Sequence, residues 1–150
     1  MKRKKRSTLI RFDSTNPVIT LFRSRYWTKC VVYILRTDKP QKYEKGRSRI
    51  IYIGESKRGF RRFAASAAAK ANRSFGVLRG VRKIDVHLLT FRGKHSVRLW
   101  EELERGLLAT FHEKHGCLPR HNKIGASFRV EDIRFFRPRR LRAIVDRLAY

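Results

Sequence analysis

The chain has 150 residues, 41% of them hydrophobic, with 38 Lys and Arg against 12 Asp and Glu and a formal net charge of +26. That length and apolar content suit one packed domain with terminal extensions and argue against wholesale disorder, and no apolar run approaches the roughly 18 residues of a membrane span. So large a cationic excess needs anions, and nucleic-acid phosphates are the expected partner, since no long amphipathic helix with a Trp/Leu face marks an anionic membrane surface as the target.

In chain order, residues 1–7 form a basic tail; Arg11 and Asp13 interrupt any hydrophobic stretch behind it, so no signal peptide is expected. Two cysteines, Cys30 and Cys117, are too few for a disulfide framework, and an intracellular setting is expected (cytoplasm or nucleoid, or the nucleus in a eukaryote). Val18 to Phe22 follow a turn cluster ending at Pro17 and suit an accessory strand. Residues 31–36 and 49–54 read as buried strands, with residues 37–48 between them as a long basic hairpin loop holding Pro40 and Gly46. Ser56 is positioned to cap a helix running to about Asn72, with Phe60, Phe63, Ala64, Ala67 and Ala71 on its apolar face. A loop carrying Phe75 leads to a third strand over residues 84–91. His95 or Ser96 opens a helix to about His115, striped by Trp100, Leu103, Leu107 and Phe111 and stopped by Gly116. A loop over residues 117–122, a short strand within residues 128–136 and a last helix from Pro138, with Leu141, Ile144, Val145 and Leu148 inward, complete the chain. This order predicts a small α/β or α+β layer fold, helices covering a short, largely antiparallel sheet, with an extension over residues 1–29, a core domain over 30–123 and a basic extension over 124–150.

Phosphodiester hydrolysis needs a nucleophilic water, a stabiliser of developing negative charge and usually a metal that holds the phosphate. Tyr33 and Tyr52 lie in the two strands and, if these pair as a hairpin, both phenols can share a face; a phenol relays a proton when a nearby cation lowers its pKa. Arg58 and Arg62 stand one turn apart on the next helix, away from its apolar face, where a guanidinium can clamp a phosphate. Glu104 borders the Leu103/Leu107 stripe and offers the carboxylate that Mg²⁺ favours.

The ordered motifs resemble those of the GIY-YIG nuclease domain. Val31-Val32-Tyr33 stands for the first tripeptide and Tyr52-Ile53-Gly54 for the second; Arg62 follows ten positions after Tyr52; Glu104-Arg105-Gly106-Leu107-Leu108 matches the glutamate helix and Pro119-Arg120-His121-Asn122 the closing Pro-x-x-Asn. The resemblance covers roughly residues 30–123. It implies a three-stranded antiparallel core flanked by helices and a Mg²⁺- or Mn²⁺-dependent endonuclease acting on DNA ahead of RNA. In it Glu104 would hold one metal ion, Tyr52 would be the general base or orient the water, Tyr33 would assist, Arg62 would stabilise the transition state and Asn122 would brace the site. The chain departs from the pattern in the 19-position spacing of its tyrosines, in Val31 for glycine, in Glu55 where many members carry a basic residue, and in Ser66 where some carry histidine.

Lys57, Arg58 and Arg61 are expected to face phosphates, and Arg137, Arg139 and Arg140, with Arg134 and Arg142, to grip the nucleic-acid backbone. Glu101, three residues before Glu104, is a candidate second carboxylate. The alternative function is a non-catalytic nucleic-acid binder on the same scaffold, within a ribonucleoprotein or a genome-packaging assembly. His112, His115, Cys117 and His121 have spacings compatible with zinc, though a sharp bend would be needed to converge them.

Overall fold

A computed structural model describes residues 30–57, 60–91, 98–123 and 130–150, with the side chains of Phe60, Arg61 and Glu131 excepted. The expected accessory strand and the Arg58 and Arg61 side chains lie outside the described residues, whereas the second long helix opens at Leu99 with Arg98 at its N-cap, later than the His95 or Ser96 opening expected. Three strands, β1 (Val31–Lys42), β2 (Arg47–Ser56) and β3 (Ile84–Leu89), form an antiparallel sheet in the order β2-β1-β3, flanked by helices α1 (Phe60–Val77), α2 (Leu99–His115) and α3 (Pro138–Ala149). The α+β layer architecture expected from the order of apolar segments is therefore the one observed. No described helix is long and apolar enough to cross a membrane.

The unbroken apolar run Val31–Leu35 fits the centre of a sheet covered on both faces, where each successive side chain finds an apolar layer. Val32, Ile34, Ile50 and Ile53 face Leu103, Leu107 and Phe111 of α2 and Leu141, Val145 and Leu148 of α3. Tyr33, Leu35 and Ile51 face Phe63 and Ala67 of α1, with Leu78 and Val81 beyond it. Gly106 lets α2 and α3 approach closely: a Cβ there would stand 2.8 Å from Leu141 Cδ1.

Three local expectations are corrected. The long basic loop is mostly strand: Lys42 pairs with Arg47, and only residues 43–46 turn, closed by a bond from Tyr43 N–H to the Gly46 carbonyl (3.0 Å), with Gly46 at φ 77°. The extra chain length is absorbed by a register shift between Arg36 and Gln41, which tolerates Pro40 because a bulge leaves ladder positions unpaired. Ser56 ends β2, paired with Val31 and 4% exposed; α1 is described from Phe60 and runs on to Val77, past the expected stop near Asn72. Within residues 130–136 the chain makes a 3-10 turn (Val130–Asp132) and bends with no strand, and the Glu102 carboxylate ties them down by accepting from Arg134 and Phe135 N–H (2.6 and 2.7 Å). The helix ends read correctly from Pro138 at the start of α3 and from Gly116, whose φ of 79° and N–H bond to the His112 carbonyl (2.8 Å) close α2.

Candidate active site

Tyr33 and Tyr52 meet on the α1 face of the sheet. Tyr33 is paired with Gly54 and Tyr52 with Leu35, so the phenols are diagonal neighbours with ring centroids 5.6 Å apart. Gly54 makes this possible: the Tyr52 ring lies across it, and a Cβ at Gly54 would be 2.5 Å from Tyr52 Cε1 and 2.7 Å from Cζ. Tyr33, 2% exposed, packs edge-on against Phe63 (4.9 Å) and donates its hydroxyl proton to Ser66 Oγ of α1 (2.9 Å). Lys70, one turn further along α1, sets Nζ 3.5 Å from Ser66 Oγ and 4.2 Å from the Tyr52 ring centroid. Ser66 thus takes a hydrogen bond from each side, and Lys70 supplies a cation that the sequence alone did not single out. Its signal was present in the spacing Arg62, Ser66, Lys70, one helical face four residues apart. Arg62 itself is exposed in the first turn of that face.

Glu104 projects from α2, on the other side of the sheet, yet its carboxyl is close enough to act electrostatically on Tyr52. Burial first, then repulsion from Glu55, then Glu101, push Glu104 up to about 7, against a partial offset from Arg105. Tyr52 is pushed well above the ordinary phenol range by burial, by the neighbouring Tyr33 hydroxyl and by the Glu104 and Glu55 carboxylates. Glu55 is the unexpected member. Its Oε2 is buried with no hydrogen-bond partner among the described residues, and it acts on Glu104 more strongly than Glu101, which is 3.4 Å from Arg98. A buried, orphaned carboxylate oxygen beside a second, charge-repelled carboxyl is a donor set that a hard divalent cation satisfies, and Mg²⁺ takes one or two carboxylates with water completing its shell. The residues present therefore fit the ion that the motifs imply.

Asn122 staples the outer edge of β2. Its Oδ1 accepts from Ile53 N–H (3.0 Å), its Nδ2 donates to the Ile53 carbonyl (2.7 Å), and His121 N–H bonds the Ile51 carbonyl (3.0 Å). The Pro-x-x-Asn spacing suits this because Pro119 opens a turn closed by Asn122 N–H (2.9 Å to the Pro119 carbonyl), which aims the amide at the strand. The loop takes the place of a further strand and blunts the open edge beside the tyrosines. Asn122→Ala leaves both Ile53 backbone groups unpaired; a loss of about 2 kcal/mol is expected in denaturant unfolding, with faster amide exchange at Ile53.

Lys57 is exposed at the end of β2. Arg137, Arg139 and Arg140 are exposed at the start of α3, on the opposite sheet face from the tyrosines, so they are not gathered into the same site. The candidate zinc residues have separate partners: His115 Nδ1 faces the Lys45 carbonyl (3.2 Å), the Cys117 thiol faces the His115 carbonyl (3.8 Å), His121 Nε2 meets Ser74 Oγ (2.7 Å) and His112 is exposed. Among the described residues no three His, Cys, Asp or Glu side chains converge as a metal site.

No family model, no curated protein and no solved structure matches the chain.

Proposed function

We propose that this chain is a metal-dependent endonuclease of the GIY-YIG type, hydrolysing phosphodiester bonds in nucleic acid, DNA ahead of RNA. The observation that carries the reading is the electrostatic coupling of the partly buried Glu104 carboxyl on α2 to Tyr52, which belongs to the opposite face of the sheet. A fold has no structural need to bring two carboxylates and two phenols together at a cost in desolvation, and such perturbed groups concentrate at catalytic sites.

In this mechanism Glu104, with Glu55 acting beside it, would hold the divalent ion, which would polarise the phosphoryl oxygen and acidify a water. Tyr52 starts as a neutral phenol, since burial and the carboxylates disfavour its anion. It positions the attacking water by accepting a hydrogen bond from it; once the carboxylate charge is offset the phenol can release its own proton to solvent, and the phenolate oxygen so formed takes the water's proton. Tyr33, whose own proton is given to Ser66, presents oxygen lone pairs beside the Tyr52 ring and fixes its place. Lys70 over that ring favours negative charge there, and Arg62, on the solvent side of the same helix face, meets the incoming phosphate. As the P–O bond breaks, the leaving oxygen collects a proton from water.

The direct test is incubation of plasmid DNA and of structured RNA with Mg²⁺ or Mn²⁺, and with chelator. Cleavage that appears with the metal and stops with the chelator is the expected result. Tight binding of both polymers with neither cut under any divalent ion overturns the reading in favour of a non-catalytic binder, for which the +26 charge and the exposed arginines of α3 speak.

A further inference from the structure

Beside the tyrosine pair, where α1 meets the loop over residues 117–123, cations gather with no acid acting on them among the described residues. Lys70 is half-buried, and the charged groups acting on it are Arg73 and Lys123. Those acting on His121 are Arg73 and Lys70 of α1 and Arg120 of its own loop. None of Lys70, Arg73, Arg120 and Lys123 is in an ion pair among the described residues, where the pairs are Lys83–Asp85, Arg98–Glu101, Lys114–Asp146 and Arg142–Glu113. The His121 ring at its centre is held against α1 and β2. The Ser74 hydroxyl donates to the Lys70 carbonyl (2.7 Å) and meets His121 Nε2 (2.7 Å), while His121 N–H bonds β2 at Ile51 (3.0 Å). Like charges that act on one another repel, and the repulsion is relieved when an anion enters among them.

We propose that Lys70, Arg73 and Lys123, together with His121, form a phosphate-binding subsite that seats a nucleic-acid strand next to Tyr52. This rests on the nucleic-acid reading above and adds the residues that align the strand. Lys70 is the hinge of the arrangement, because the ammonium that closes the subsite also lies over the Tyr52 ring. A consequence follows for His121. The Ser74 proton is committed to the Lys70 carbonyl, so Ser74 Oγ accepts from His121 Nε2–H, and Nδ1 is the atom free to take up a proton. Burial first, then Arg73, Lys70 and Arg120, hold the imidazole below its ordinary range and neutral. A phosphate seated among those cations cancels their repulsion, so strand binding is accompanied by proton uptake at His121.

The test follows the His121 ring by NMR in the full chain, metal-free so that no strand is cut, as pH is varied with and without a short single-stranded oligodeoxynucleotide, and separately with inorganic phosphate. The expected result is an upward move of the His121 midpoint with the oligonucleotide. The Lys70→Gln/Arg73→Gln/Lys123→Gln variant should lose that move, and the slope of its log affinity against log salt should fall by about 2, at roughly 0.7 per single-strand phosphate contact. An Arg137→Gln/Arg139→Gln/Arg140→Gln variant, with the same charge removed from α3, should keep the His121 response. An unmoved His121 in the wild type overturns the proposal even if the triple variant fails to fold. So does an equal loss of response in both triple variants, or a His121 shift that inorganic phosphate produces and the oligonucleotide does not. A wild type that moves His121 but never cleaves sinks the nuclease reading alone; one that cleaves with His121 unmoved sinks only the subsite.

Discussion

Glu104→Gln is expected to abolish metal-dependent cleavage while making the metal-free protein more stable at pH 8. On the proposed mechanism, loss of the carboxylate that would hold the metal removes several kcal/mol of transition-state stabilisation, a fall on the order of 10³-fold in rate. The stability gain follows from the carboxyl pushed up to about 7 against its ordinary value of 4.5. Between those values the folded state binds more protons than the unfolded state, so stability falls as pH rises through this window and the penalty is complete above it. A shift of this size corresponds to about 3 kcal/mol in full, which solvent screening at a partly exposed group cuts to about 1–2 kcal/mol. Gln carries no charge and escapes the penalty. Urea unfolding of both proteins should show the variant ahead by about that amount at pH 8, with most of the lead gone at pH 5. Added Mg²⁺ should stabilise the wild type at pH 8 and leave the variant unmoved, because only a protein that binds the ion gains by mass action. A variant no more stable than wild type at pH 8 would remove the case for a repelled carboxylate.

Gly54→Ala should separate function from folding in the other direction. The new methyl group would occupy the space of the Tyr52 ring, 2.5 Å from Cε1, and the tip of that side chain can swing aside where the strand backbone cannot. A stability cost of about 1–2 kcal/mol is expected from the displaced ring. Cleavage should fall by about 10²-fold, the usual consequence of moving a catalytic group by about 1 Å. The mechanism is checked by non-additivity: Tyr52→Ala combined with Gly54→Ala should be no less active than Tyr52→Ala alone, because the methyl then has nothing to displace. A double variant that loses a further large factor would assign Gly54 another role.

Both predictions turn on how a motif becomes a site. The Tyr52-Ile53-Gly54 tripeptide names its residues without showing why glycine is third; the diagonal packing of the ring across that position supplies the reason. Glu55 reads in sequence as a cation missing from the pattern. Its place near Glu104 makes it a candidate donor instead, which no local pattern encodes because the two are separated by α1, β3 and the start of α2. Ser66 reads as a lost helper and is the hydrogen-bond acceptor of Tyr33. Of the two candidate partners for Glu104, nearness in sequence favoured Glu101 and the fold brought Glu55 to bear more strongly.

What the sequence determined by itself was whatever depends on local periodicity and composition. The double-sided apolar strands, the striped second helix with its glycine stop, the proline start of the last helix and the cationic character were all legible, because burial on one or two faces imposes a repeat that neighbours in the chain must share. The tertiary structure decided what depends on partners far along the chain. Pairing of Lys42 with Arg47 turned an expected loop into strand, and pairing with Val31 carried the second strand on to Ser56. Asn122 found its acceptor and donor at Ile53, and a cluster of uncompensated cations formed around His121. Hydrogen bonds and charges between distant residues leave no period in the sequence, and they are the contacts from which this candidate site is made.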